Sequence, residues 1–88
     1  MTIREGFVLK EVAGNYVIIA IGDDVLDFND IITVNEIGAL IWNNMIENKS
    51  KGEIISVILS EYDIDEKTAS EDFDTFINQL KSVNIIID

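Results

Sequence analysis

"DIITVNEIGALIW", residues 30–42, changes period halfway through. Ile31, Ile32, Thr33 and Val34 form a β-branched run, the composition of a strand. Asn35 then offers a side-chain oxygen to cap a helix, and Glu36 puts a negative charge in its first turn. Ile37, Leu40, Ile41 and Met45 follow at helical spacing. Strand gives way to helix within two residues, so this stretch divides the chain into a sheet half and a helix half.

Working back from it, "VLDFND" (25–30) is ambiguous: Leu26 and Phe28 anchor a loop or begin a strand. "GDD" (22–24) is turn chemistry. "YVIIAI" (16–21) is apolar on both faces, which suits a central strand covered on both sides or one packed into an interface. "AGN" (13–15) is a second turn, and "FVLKEV" (7–12) alternates. The simplest arrangement is a three-stranded antiparallel meander with 16–21 in the middle.

Working forward, "SKGE" (50–53) fits a capping box ahead of Ile54, Ile55, Ile58, Leu59 and Tyr62. Asp65 caps a third helix carrying Ala69, Phe73, Phe76, Ile77, Leu80 and Val83. Asn84 stands where a left-handed residue ends a helix, and "IIID" (85–88) is a short extended tail. Trp42 lies beside the Leu40–Ile41 face and is expected in the core. The expected fold is α+β, a three-stranded antiparallel sheet followed by a three-helix winged helix-turn-helix bundle, as one domain over residues 1–88.

Composition removes several functions. The 88 residues include no histidine and no cysteine, so the commonest general base, thiolate metal sites and disulfides are all unavailable. Asp23, Asp24, Asp27 and Asp30 lack the D-x-D-x-D spacing of a calcium loop and read as a solvated acidic turn. No metal or cofactor is expected. Seventeen acids against six bases give a net charge of −11, which repels nucleic acid. The third helix repeats that sign, with Glu66, Glu71, Asp72 and Asp74 against Lys67 and Lys81. A winged helix that reads DNA needs the opposite sign there. The start "MTIREGF" is not a signal peptide and no apolar run spans a membrane, so a cytoplasmic location is expected.

A binding module remains. Residues 31–34 contain none of the proline or lysine that usually guards an edge strand. An extended peptide could add itself there, its alternate side chains entering a groove walled by the third helix. A loop of the same chain, or a second copy, lying along that strand explains the bare edge equally well.

Three segments carry a family resemblance: "FVLKEVAGNYVII", "DFNDIITVNEIGALIW" and "EIISVILSEYDIDEKTASEDFDTFINQLKSVNII". Together they resemble the PqqD-like family, named for the D protein of pyrroloquinoline quinone biosynthesis and also called RiPP recognition elements. The most specific runs are Val34, Asn35, Glu36, Gly38, Ile41, Trp42 and then Asp72, Phe73, Phe76, Ile77, Leu80. The sequence departs from the family at Asn84, where glycine is usual, and at "AIGDD" (20–24), where a proline is common.

The resemblance implies a protein with no catalytic role. It would hold the leader segment of a ribosomally made precursor peptide while a partner enzyme, often a radical S-adenosylmethionine enzyme, modifies the core segment. The backbone of Ile31, Ile32, Thr33 and Val34 would pair with the leader. Phe73, Phe76, Ile77 and Leu80 would form the helix wall, and Asp72 beside them could meet a leader lysine or arginine. The alternative is a structural module with no peptide ligand, dimerising through the open edge.

Overall fold

The computed structural model describes residues 2–21 and 32–87. Ile31, the "GDD" turn and residues 25–30, Asp27 and Asp30 included, lie outside the described residues. Strands β2 (Phe7–Val12), β3 (Asn15–Ala20) and β4 (Ile32–Val34) form an antiparallel sheet in the order β2-β3-β4. Helices α1 (Glu36–Ile46), α2 (Lys51–Glu61) and α3 (Glu66–Ser82) follow. This is the α+β, winged-helix arrangement expected from the sequence. Among the described residues no helix is long and apolar enough to cross a membrane.

Each helix begins where its capping residue dictates. Asn35 accepts from the Gly38 N–H at 2.8 Å, and Asp65 accepts from the Thr68 N–H at 2.7 Å. At α2 the Ser50 hydroxyl accepts from the Glu53 N–H while the Glu53 carboxylate accepts from the Ser50 N–H, a complete capping box. These bonds stabilise the charged forms, so Asp65 and Glu53 sit below the ordinary carboxyl range. At the end of α3, Asn84 is left-handed (φ 64°), Ile85 N–H donates to Leu80 O and Asn84 N–H to Lys81 O. That is a Schellman turn, closed by the buried Leu80 and Ile85.

The Schellman turn sends the chain back across the molecule. There a short β5 (Ile86–Ile87) pairs antiparallel with β1 (Thr2–Ile3). The sequence showed only the extended tail. Two-residue strands are too short to show alternation, and their partner lies at the other end of the chain. The hairpin between β2 and β3 also differs from expectation. The left-handed residues are Ala13 (φ 53°) and Gly14 (φ 82°), while Asn15 already pairs with Val12.

Ile18, Ile32 and Val34 from the sheet's inner face meet Ile41, Trp42, Ile54, Ile58, Phe73, Phe76 and Leu80 in one core. Trp42 is 2% exposed, as its position beside Leu40 and Ile41 implied. β3 is the central strand, but its outer face is only half-buried at Val17 and Ile19 and ends at an Ile21 that is 48% exposed. Lys51 of α2 reaches α3 at the surface, its Nζ 3.0 Å from Asp74 Oδ1 and 5.5 Å from the centre of the Phe73 ring. The shared core sets the position of α3 beside β4.

Candidate functional site

The hydrogen-bonding direction of β4 follows from the ladder on its other side. Ile21 N–H donates to Gly6 O at 2.6 Å, so Phe7 and Ala20 are a pair that exchanges no bonds of its own. Antiparallel alternation then turns the amides of Val17 and Ile19 toward β2, and those of Tyr16 and Ile18 toward β4. Across the next ladder, Ile18–Ile32 and Tyr16–Val34 are therefore the bonded pairs. Thr33, opposite Val17, turns both its N–H and its C=O away from the sheet. Among the described residues no strand lies beyond β4 to receive them.

Beside this edge runs a groove of about 180 Å³. One wall is Thr33, Val34 and Asn35, the floor is Ile37 and Gly38 from α1, and the far wall is Asp72, Thr75, Phe76 and Gln79 from α3. The four α3 residues follow the i, i+3, i+4, i+7 spacing of one helical stripe. Gly38 permits the close fit. A Cβ there would lie 3.2 Å from Val34 Cβ and 3.3 Å from the edge of the Phe76 ring. Asp72 is half-buried and, among the described residues, is the only charged side chain in the lining.

The sequence pattern of α3 therefore splits between two faces. Asp72 and Phe76 reach the groove, while Phe73, Ile77 and Leu80 are buried in the core and do not line it. Ile32 and Val34 point their side chains into the core, and Thr33 points outward. Thr75 and Gln79 are groove residues that sequence reasoning missed. Apolar periodicity carries no mark for a polar stripe, although their spacing from Asp72 places them beside it.

Val34, Asn35, Gly38, Asp72 and Phe76 of the groove fall within the two runs that carry the resemblance. The profile described as "Coenzyme PQQ synthesis protein D (PqqD)" matches residues 15–86. The chain belongs to the PqqD family.

Two solved structures share the PqqD-family fold seen here. One is described as "TbiB1 in Complex with the TbiA(beta) Leader Peptide". It is 23% identical, covers all of both chains and has a TM-score of 0.78. The other, "Lasso peptide synthetase B1 complexed with the leader peptide", is 17% identical. It covers 99% of this chain and 96% of its own, with a TM-score of 0.79. No curated protein matches the chain.

A second recess lies on the opposite flank of α1, among Tyr16, Glu36, Leu40, Asn43, Glu61 and Tyr62. Desolvation, then the neighbouring carboxylates of Glu36 and Glu61, hold the Tyr62 phenol above its ordinary value. Nearby, the buried Asn44 donates to Leu40 O and accepts from Lys49 Nζ, both at 2.8 Å, which ties the end of α1 to the following turn. Among the described residues no cluster of acidic side chains is arranged to hold a metal ion.

Proposed function

We propose that this PqqD-family chain is a single-domain adaptor that captures the leader segment of a ribosomally made precursor peptide by β-strand addition along β4. The observation that carries the reading is Thr33, whose outward N–H and C=O sit beside a groove with a helix as its far wall. The two solved relatives of the same fold, each described as a complex with a leader peptide, support it. A guest strand would exchange main-chain bonds with Thr33 and set alternate side chains into the groove. Asp72 and Phe76 would touch the guest, while Phe73, Ile77 and Leu80 would hold the wall from behind.

The adaptor supplies no chemistry of its own. A chain without histidine or cysteine is suited to holding, and the reaction belongs to a partner enzyme in the cytoplasm, a radical S-adenosylmethionine enzyme being the kind the resemblance implies. A guest strand of five or six residues buries less than a standard interface, so binding is modest and reversible. Its effect is to raise the concentration of substrate near the catalyst.

The test is proline at Thr33. That substitution removes an outward donor without touching the ladder to β3, so the fold survives and peptide binding is lost. The peptides are leader segments of candidate precursors from the same genome, titrated against the wild type and Thr33→Pro. Equal binding to both refutes strand addition at β4. Sedimentation in the same samples separates the guest peptide from a second copy: a tight dimer indifferent to peptide would make the edge a self-pairing surface.

A further inference from the structure

We infer that the groove selects a guest with a basic side chain two residues from an aliphatic one, and that Asp72 is the residue determining that preference. The inference rests on the peptide-binding reading above. Successive turns of α3 present Asp72, Phe76 and Gln79 along one wall. Asp72 and Phe76 are about 6 Å apart along the helix axis, from a rise of about 1.5 Å per residue. Side chains on one face of a strand repeat every 6.6–6.8 Å or so. A guest strand running along α3 therefore sets consecutive same-face side chains against consecutive turns of the helix.

The Phe76 position is apolar and bounded by Val34 and Gly38. The groove, at about 180 Å³, is larger than a cavity of about 150 Å³ that holds one benzene, so an aliphatic side chain fits against Phe76 with part of the groove left beside Asp72. One turn away, Asp72 is half-buried, and among the described residues the lining contains no cation. Lys51, at the start of α2, is engaged with Asp74. A neutral or acidic guest residue laid over Asp72 would strip water from the carboxylate and return nothing. A lysine or arginine there supplies the missing partner. The site thus rejects the wrong guest as well as attracting the right one.

The experiment is display selection of strand-length peptides with randomised positions, panned separately on the wild-type chain, D72K, D72N and E71K. Glu71 is exposed and outside the groove lining, so E71K makes the same change in net charge away from the site. The wild type and E71K are expected to enrich lysine or arginine two positions from an aliphatic residue. D72N is expected to lose the basic preference, and D72K to enrich aspartate or glutamate at that position. Reversing the charge in a selected peptide should weaken wild-type binding about fivefold, the scale of a partly exposed ion pair.

If E71K shifts the preference as far as D72K, or if the wild type enriches aliphatic residues with no basic neighbour, the inference is overturned. If the selected peptides keep their charge preference yet bind Thr33→Pro unchanged, the Asp72 preference stands and strand addition falls. Wild-type and D72N fluorescence from the buried Trp42 verifies that the variants are folded.

Discussion

Replacing Gly38 with alanine sets two terms of known size against each other. Alanine in place of glycine inside a helix is favourable by about 1 kcal/mol. Against that, the new Cβ meets Val34 Cβ at 3.2 Å and the Phe76 ring at 3.3 Å. Both distances are tighter than ordinary contact, and overpacking of a filled site costs about 1–3 kcal/mol. Val34 cannot retreat, because its backbone is bonded to Tyr16 in β3. Relief comes from the Phe76 ring, which borders the groove and moves into it. Gly38→Ala is therefore expected to be neutral to about 2 kcal/mol less stable, and to lose peptide affinity severalfold because the groove narrows. Urea denaturation followed by the single tryptophan gives the first quantity, and peptide titration gives the second. A variant about 1 kcal/mol more stable than the wild type, with full affinity, would refute the tight Val34–Gly38–Phe76 contact.

Ala13→Asn places an Asn-Gly pair in the hairpin where both central residues have positive φ, and should stabilise the protein by about 0.5–1 kcal/mol in the same denaturation assay. Leu80→Ala removes a fully buried side chain that also closes the Schellman turn, and should cost about 2–5 kcal/mol in chemical unfolding, by core destabilisation alone. Tyr62 is held above the ordinary phenol value, so its stabilising contribution is complete below about pH 10 and fades as the pH rises through its higher folded value. Absorbance titration should show one tyrosine ionising late, and Tyr62→Phe should remove that late step.

Much of the architecture was legible because each transition carries its own chemical signal. Asn35, Ser50 and Asp65 announce three helices, and each side chain makes the capping bond its type implies. The central place of β3 followed from two apolar faces, although its outer face proves half-exposed. The β1–β5 ribbon was not legible, since pairing between chain ends leaves no local pattern. Nor was the division of α3, where Phe73, Phe76, Ile77 and Leu80 form one arc in sequence. Of these four only Phe76 is both buried and part of the groove lining, a division that depends on tertiary packing and leaves no mark in the spacing. The direction of the Thr33 amide depends on the parity of the β2–β3 ladder, which periodicity alone cannot supply.

Amide hydrogen exchange, resolved residue by residue, addresses the open edge most directly. In the free chain at dilute concentration, Ile32 and Val34 should be protected by their bonds to β3, while Thr33 exchanges freely. Saturating leader peptide should slow Thr33 and leave its two neighbours unchanged. Protection of Thr33 before any peptide is added, or no change there when peptide is bound, would contradict strand addition at β4.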